Sequence, residues 1–241
     1  MSGRSGFTTP CRKTTAPVPP LRALDTSLRL PGVYPAQGDT ALLLECLLRE
    51  RLQAGVEVLD LGTGCGSLAL AAARRGARVV AVDVSWHALF CAWLNARRQG
   101  CRVRLRHGDL TAPVADERFD LVVSNPPYVP ARRAAAPRHG IARAWDAGPD
   151  GRLVLDRFCA QAPHVLRPGG VLLVVQSAIA DVAATLSALA RGGVVARVTA
   201  RRRQPFGPVM KARAGWFEQC GLITPGQRDE DLVVIRGVRA G

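Results

Sequence analysis

The sequence lacks paired cysteines and any long apolar run. Its seven cysteines stand at positions 11, 46, 65, 91, 101, 159 and 220, and no two of them form a Cys-x-x-Cys pair. An odd, scattered set of cysteines argues against a disulfide framework and against a zinc site, so no bound metal is expected. No stretch has the length and apolarity that crossing a membrane requires. The sequence therefore predicts a protein of a reducing, cytoplasmic compartment.

Lysine is almost absent, since Lys13 and Lys211 are the only two beside 31 arginines and 19 acidic residues. The resulting net charge is +14. Such an excess of positive charge favours an anionic partner, such as RNA or a ribosome. A genome rich in G and C also favours arginine codons, and this second explanation needs no partner. Composition alone leaves both explanations open.

Acidic residues are missing from the start of the chain, where the first one is Asp25. This part is rich in serine, threonine and proline, and we expect residues 1–20 to be a disordered basic tail. We predict a single domain over residues 21–241, in which residues 201–228 form a basic loop before the last strand. That loop is either a surface for a ribosome-bound or tRNA-like partner or a solvated connection.

Apolar runs of strand length alternate with helical runs from residue 56 onward, which indicates a parallel sheet with crossover helices. A short strand is predicted at 21–34, and seven core strands follow at 56–61, 78–83, 101–106, 119–124, 171–177, 193–200 and 231–236. Helices are predicted at 41–52, where Asp39-Thr40 forms the cap, and at 67–75, 86–98, 151–166 and 180–190. We therefore expect an α/β Rossmann-like fold with a seven-stranded, mostly parallel sheet, an antiparallel last strand and helices on both faces.

A glycine-rich turn, Gly62-x-Gly64-x-Gly66, lies between the strand at 56–61 and the following helix. This arrangement lets a ligand lie against bare backbone at a helix N-terminus. Asp60 opens the loop, and its charge would repel a pyrophosphate but suits a positively charged amino-acid group. Asp83 at the end of the next strand can accept hydrogen bonds from two ribose hydroxyls, and Asp109 at the end of the third strand can accept one from an adenine amino group. Carboxylates at three successive strand ends fit S-adenosylmethionine as the cofactor.

The strand at 119–124 ends directly in Asn125-Pro126-Pro127-Tyr128. The Asn125 side-chain oxygen and the Pro126 carbonyl can accept both hydrogens of an NH2 group, which aims its nitrogen lone pair at a methyl donor. The prolines keep the loop rigid, and Tyr128 offers a flat face for a planar amide or base. Because an amide is a poor nucleophile, orientation and desolvation must carry much of the rate. We therefore predict Asn125, Pro126 and Tyr128 as catalytic residues of methyl transfer to nitrogen, with no general base assigned.

These residues give the chain a resemblance to class I methyltransferases of the HemK type, the glutamine methyltransferases of peptide chain release factors. The resemblance covers roughly residues 28–177. Beside the glycine loop, it is carried by three segments, which run from Gly32 to Glu45, from Asn125 to Tyr128 and from His139 to Phe158. The last segment is the most specific, because generic amino-methyltransferases of DNA or RNA lack it.

The resemblance implies a role for each matching position. S-adenosylmethionine would be held by the residues Thr40, Asp60, Gly62, Gly64, Gly66, Asp83, Asp109, Leu110 and Asn125. The glutamine side chain of a Gly-Gly-Gln loop would be held by Asn125, Pro126, Pro127, Tyr128 and Val129. Trp145 and Arg152 would be scaffolding at the substrate entrance. The product would be N5-methylglutamine in a release factor, a modification that helps the termination of translation.

The chain departs from the bacterial form of this family, which carries a helical domain before the segment that matches from Gly32 onward. It resembles the short eukaryotic and archaeal form, which works with a small zinc-binding activator subunit. Such a subunit is therefore an implied partner beside the release factor. Two other hypotheses stay open. In the first, the acceptor is an exocyclic amino group of rRNA, tRNA or DNA, which the +14 charge favours. In the second, the protein binds the cofactor without turnover.

Overall fold

The order of helices and strands follows the predicted alternation. The structure, a computed structural model, describes residue 28, residues 30–135, residue 137 and residues 140–241. Its helices are α1 (Gly38–Leu47), α2 (Ser67–Arg74), α3 (Trp86–Arg98), α4 (Leu153–Val165), α5 (Val182–Arg191) and α6 (Pro208–Gln219). Its strands are β1 (Glu57–Leu61), β2 (Arg78–Asp83), β3 (Val103–His107), β4 (Phe119–Ser124), β5 (Leu166–Ser177), β6 (Val194–Pro205) and β7 (Asp229–Arg239). The tail predicted at 1–20 lies outside the described residues.

The seven strands form one sheet in the order β3-β2-β1-β4-β5-β7-β6. Neighbours from β3 to β5 are parallel, whereas β7 runs antiparallel to both β5 and β6. The predicted seven-stranded sheet with an antiparallel last strand is confirmed. Strand order reverses between β1 and β4, whose ends are in register at Leu61 and Ser124. The loops after these two strands therefore leave the same edge of the sheet, where open α/β sheets bind ligands.

Apolar side chains of the central strands build the core. Val58, Leu59, Val122 and Val123 have no solvent exposure. Consecutive residues of these strands are apolar because parallel sheets are covered on both faces. Burial of each such side chain contributes about 1.5–3 kcal/mol. Among the described residues, no helix has the length and apolarity to cross a membrane.

Two arginines of the C-terminal strands hold the region of α1 against the sheet. Arg202 of β6 donates to both carboxylate oxygens of Glu45 at 2.8 and 3.0 Å. Arg236 of β7 forms a two-pronged pair with Glu50, at 2.7 and 3.1 Å. Pairs of this kind are stronger and more directional than single neutral hydrogen bonds. The first described helix is thereby fixed to the last two strands.

The predicted basic loop at 201–228 is wrong for most of its length. β6 continues through the three arginines to Pro205. Arg201 and Arg203 pair with Asp231 and Asp229 of the neighbouring β7, while Arg202 between them reaches Glu45. Ion pairs that point alternately toward β7 and toward α1 stabilise this end of the strand. Because residues 201–203 include no apolar side chain, the sequence has no alternating pattern that would predict a strand there.

Helix α6 occupies the middle of the same predicted loop. Pro208 stands in its first turn, where proline is well tolerated. Met210, Ala214 and Phe217 are buried on one face, at the spacing of four and three residues that an amphipathic helix requires. Only the segment between α6 and β7 remains a loop.

The strand predicted at 21–34 is wrong where its residues are described. Residues 30–33 form a turn, in which the Val33 N–H donates to the Leu30 carbonyl at 3.2 Å. Gly32 has a φ of +81°, so Pro31-Gly32 makes a turn instead of ending a strand. The remaining part of that prediction lies outside the described residues.

Candidate active site

A cavity of about 350 Å³ opens where β1, β2 and β4 end. Its wall also includes residues of two further segments, at 31–36 and 140–144. The predicted site residues that line it are Thr40, Gly62, Gly64, Asp83, Asn125 and Pro127. The predicted site residues that do not line it are Asp60, Gly66, Asp109, Leu110, Pro126, Tyr128 and Val129. The volume is in the range of small-molecule sites, and the cavity joins the predicted cofactor loop to the predicted catalytic loop.

The glycine loop between β1 and α2 requires backbone angles that other residues avoid. Gly62, Gly64 and Gly66 have φ values of +73°, +56° and +88°, a region that glycine adopts readily. A Cβ atom at Gly66 would lie 3.2 Å from the Ala92 Cβ, so this glycine also lets α3 pack closely. No described atom lies within 4 Å of a Cβ built at Gly64. Gly62 and Gly64 therefore present bare backbone to the cavity.

Asp60 is buried at the end of β1, beneath this loop. Its Oδ2 accepts from the Thr63 hydroxyl at 2.6 Å and from the Ala69 N–H at 3.1 Å. Its Oδ1 is buried and has no hydrogen-bond partner in the described chain. Burial raises the pKa of this carboxyl to about 7, although both hydrogen bonds lower it. A buried carboxylate oxygen without a partner is costly, and a cationic donor would satisfy it.

Asp83 ends β2 and lines the cavity. Its Oδ2 accepts from the Gly64 N–H at 2.9 Å, and its Oδ1 accepts from the Ser85 N–H at 2.8 Å. Burial raises the pKa of Asp83, while these hydrogen bonds and the nearby Arg143 guanidinium lower it. Each carboxylate oxygen has a further acceptor site. Asp83 therefore has the capacity to accept a pair of ligand hydroxyls.

Asp109 and Leu110, after β3, are not brought to the cavity. The Asp109 side chain is half exposed and pairs with Arg157 of α4. Leu110 has a φ of +47° and packs in the core. On this side the cavity is lined instead by Val84, Ser85, His87 and Ile141.

The Asn-Pro-Pro-Tyr loop reaches the cavity through Asn125 and Pro127. The Asn125 amide nitrogen donates to the Thr40 hydroxyl oxygen at 3.1 Å. Tyr128 is 7% exposed, and its hydroxyl donates to Asp39 Oδ2 at 3.0 Å. Burial and the Asp39 charge raise the pKa of this phenol well above its usual value. Tyr128 therefore stays a neutral hydrogen-bond donor that fixes the end of the loop.

The segment 145–151 holds the Asn-Pro-Pro-Tyr loop from outside. The Val129 N–H donates to the Trp145 carbonyl at 2.8 Å, and the Ala147 N–H donates back to the Val129 carbonyl at 3.0 Å. Gly151, with φ of +76°, lies so close that a Cβ would stand 2.4 Å from the Tyr128 carbonyl oxygen. The most specific part of the sequence resemblance thus braces the predicted catalytic loop.

Arg152 and Trp145 make structural contacts outside the cavity wall, and their place at a substrate entrance stays a prediction. Arg152 is buried, and its guanidinium donates to the Asp181 carbonyl at 2.7 Å, to Thr185 Oγ1 at 3.1 Å and to Asp156. It therefore joins the start of α4 to α5. The Trp145 ring lies 6.4 Å from that of Tyr34, which lines the cavity.

Sequence reasoning missed Asp39 as a site residue and predicted only a helix cap there. No side-chain cap forms at α1. Instead, both tyrosines of the chain, Tyr34 and Tyr128, donate to Asp39 Oδ2 at 3.0 Å. Burial first, and Asp39 next, raise the pKa of Tyr34 above its usual range. The sequence offered one signal for this contact: its two tyrosines both lie in segments that carry the family resemblance.

Arg213 was missed because its helix was missed. From α6, its guanidinium nitrogens lie 2.6 Å from Asp146 Oδ1 and 2.9 Å from the Pro130 carbonyl oxygen. Both partners flank the bridge at Val129. α6 therefore supports the outer side of the catalytic loop.

The strand order, the glycine turn and the cavity at the reversal of that order define a class I methyltransferase. The model of the methyltransferase small domain matches residues 26–144. A relative from Methanocaldococcus jannaschii, named as a protein N5-glutamine methyltransferase, is 32% identical over 185 residues, which cover 76% of this chain and 92% of the relative. The chain belongs to the HemK family of protein N5-glutamine methyltransferases.

Two further comparisons agree with this family. The release factor glutamine methyltransferase of Geobacter sulfurreducens is 36% identical over 192 residues, which cover 77% of this chain and 67% of the relative. Among solved structures, the Mtq2–Trm112 complex of E. cuniculi, responsible for methylation of the termination factor eRF1, is similar with a TM-score of 0.61 and 25% identity. That match covers 87% of this chain and 99% of the other.

Proposed function

We propose that this protein uses S-adenosylmethionine to methylate the glutamine side-chain amide in the Gly-Gly-Gln motif of a peptide chain release factor. The observation that carries the proposal is the cavity shared by the glycine loop, Asp83 and Asn125. The names of the relatives support this acceptor. We further propose that residues 21–241 act as one methyltransferase domain in the cytoplasm.

The residues around the cavity fit this cofactor. Bare backbone at Gly62 and Gly64 allows close approach, and Asp83 can accept from the ribose hydroxyls. The unpartnered Asp60 Oδ1 would suit the cationic amino-acid end, although Asp60 lies beneath the loop, outside the cavity wall. Thr40 and Asn125 also line the cavity. Bound S-adenosylmethionine supplies an electrophilic methyl group. Asp109 and Leu110, which the resemblance assigns to the cofactor, lie outside the cavity wall and are the weaker part of the predicted set.

The chain's own residues would orient the acceptor amide. The Asn125 oxygen and the Pro126 carbonyl accept the two N–H groups of the glutamine NH2, which turns its lone pair toward the methyl group. Pro127 lines the cavity without offering a competing N–H donor. The amide nitrogen would form a bond to the methyl carbon as its bond to the cofactor sulfur breaks, with S-adenosylhomocysteine as the leaving group. The nitrogen would lose one proton to solvent, and we assign no side chain the role of base. Catalysis by orientation and exclusion of water is sufficient in principle for such a site.

An exposed row of aromatic side chains, Trp86, Phe90 and Trp93, supports the proposed activator subunit. This α3 aromatic stripe follows helical spacing, and its members are 70%, 54% and 43% exposed. The Phe90 and Trp93 rings stack at 5.7 Å. Exposed apolar patches of this kind mark interaction surfaces. Because the similar solved structure is a two-protein complex, we propose that a small, zinc-binding activator subunit covers the stripe.

A second candidate acceptor is an exocyclic amino group of rRNA, tRNA or DNA. Arg132 and Arg133 follow the Asn-Pro-Pro-Tyr loop closely and are both exposed. The Arg132 guanidinium lies 5.4 Å from the centre of the Trp216 ring. Exposed arginine and an aromatic face near the catalytic loop suit a nucleic acid. This candidate predicts that activity falls steeply as salt concentration rises.

The deciding experiment is transfer of labelled methyl from S-adenosylmethionine to three acceptors. These are purified release factor, the same factor with its motif changed from Gly-Gly-Gln to Gly-Gly-Ala, and total RNA. We expect label on the intact factor alone and its loss in the Asn125→Ala enzyme. Label on RNA would overturn the proposal in favour of the second candidate. Equal label on both forms of the factor would place methylation at another residue.

A further inference from the structure

A hydrogen-bond relay connects the start of α1 to both ends of the Asn-Pro-Pro-Tyr loop. Asn125 Nδ2 donates to Thr40 Oγ1 at 3.1 Å, and Thr40 Oγ1 donates to Asp39 Oδ1 at 3.2 Å. The other oxygen of Asp39 accepts the Tyr128 hydroxyl at 3.0 Å. Asp39, Thr40 and Tyr128 are 3%, 6% and 7% exposed. The relay is therefore largely shielded from competing water.

The donor and acceptor roles in the relay follow from the chemistry of the Asp39 carboxylate. A carboxylate offers acceptor sites only, so the Thr40 hydroxyl must use its single hydrogen on Asp39. Thr40 Oγ1 then has only lone pairs left for Asn125, and only the NH2 side of that amide can donate to them. The Asn125 oxygen is left to accept from a ligand, and no described residue donates to it.

We propose that Asp39 and Thr40 are positioning residues that set the orientation of the Asn125 amide. The proposal rests on the proposed function, in which the Asn125 oxygen accepts a hydrogen of the amide to be methylated. A reversed Asn125 would face the acceptor NH2 with its own NH2. Such a pair of donors leaves a hydrogen bond unmade and removes the contact that directs the acceptor lone pair.

Thr40 offers a nearly isosteric test. Thr40→Val removes the hydroxyl at nearly constant shape, and we expect kcat to fall about 100-fold because the acceptor is misaligned. Thr40→Ser keeps the hydroxyl, and we expect its kcat to stay within about threefold of wild type. Because Thr40 also lines the cavity, the Kd of S-adenosylmethionine is measured beside kcat in both variants. Equal kcat values for the two variants, or a Val variant that loses only cofactor affinity, would overturn the proposal.

A matched control separates the relay from the general cost of losing a buried hydroxyl. Thr111 is buried, and its hydroxyl donates to Gln161 at 3.1 Å, outside the cavity wall. We expect Thr111→Val to lower the unfolding free energy as much as Thr40→Val does, without changing kcat. A fall in kcat in both variants would show a structural effect and overturn the assignment.

Asp39→Asn tests the direction of the relay at constant shape. The Thr40 backbone N–H also donates to Asp39 Oδ1, at 2.6 Å, so an asparagine at this position keeps its oxygen on that side and still accepts the Thr40 hydroxyl. In the wild type and in Thr40→Ser, NMR should show a slowly exchanging hydrogen on the Asn125 side-chain nitrogen. Exchange should be fast in Thr40→Val and slow in Asp39→Asn, and fast exchange in the wild type would overturn the relay. This readout needs no acceptor, so it decides the relay even where the release factor is not methylated.

Discussion

At the scale of single residues, the buried Asp60 carboxyl beneath the glycine loop has a raised pKa. Its folded-state pKa of about 7 lies above that of an exposed aspartate, about 3.9. The folded protein therefore binds this proton more tightly than the unfolded chain does. The stability that Asp60 contributes is complete below about pH 4 and is lost as the pH rises through about 7.

We expect the ligand-free protein to lose unfolding free energy between pH 4 and 8, with at most about 4 kcal/mol of that loss due to Asp60. Asp60→Asn cannot ionise and should lose less over the same range. Urea unfolding at several pH values measures both slopes. Asp109→Asn is the control, because the Asp109 side chain is half exposed and lies outside the cavity wall. An unchanged pH slope in Asp60→Asn would contradict the buried-acid explanation.

At the scale of elements, the contact between Gly151 and the Tyr128 carbonyl couples the 145–151 segment to the catalytic loop. An added Cβ at Gly151 would meet backbone at 2.4 Å, whereas one at Gly169, with a similar φ of +74°, would meet nothing within 4 Å. Alanine substitutions at these two glycines therefore separate the cost of a positive φ from the cost of a steric clash with the backbone.

We expect Gly151→Ala to lower stability by about 2–4 kcal/mol and to lower kcat, because the loop must move. Gly169→Ala should lower stability by about 1 kcal/mol and leave kcat unchanged. Thermal unfolding and methyl-transfer kinetics on both variants check this expectation. Similar losses of kcat in both would argue against a coupling through Gly151.

The sequence predicts the central elements well, because their signals are local. β2, α3 and β4 have the predicted bounds, since each is an apolar or amphipathic run ended by a loop signal. The end of β6, beyond the strand predicted at 193–200, was missed because the arginines at 201–203 are stabilised by acids on other elements, and α6 was missed as part of the predicted loop. Asp39 was lost for a similar reason, since Tyr128, one of its two phenol partners, lies far along the chain.

At the scale of the whole molecule, the α3 aromatic stripe and the exposed Val195 of β6 lie on elements at opposite edges of the sheet. α3 packs against β3, which is one edge strand, and β6 is the other. A variant in each surface therefore tests whether the α3 aromatic stripe alone serves as an apolar docking face.

We expect the double variant Phe90→Lys, Trp93→Lys to lose binding of the proposed small activator subunit and to lower any self-association of the isolated protein. The reason is the loss of exposed apolar area on one helix face. Sedimentation with and without the purified subunit measures both, and Val195→Lys is the control at the other edge. Unchanged subunit binding in the double variant would contradict the proposed docking face.

The pairs Arg202–Glu45 and Arg236–Glu50 also bear on the order in which the molecule is made. α1 carries Asp39 and Thr40, so the catalytic loop is held by a helix that the last strands hold in turn. During synthesis, the ribosome releases the glycine loop and Asn125 long before Arg236. The nascent chain therefore has every predicted contact residue for cofactor and acceptor in solution while the salt bridges that fix the first helix do not yet exist. The Arg236–Glu50 pair can therefore form only after residue 236 has been translated.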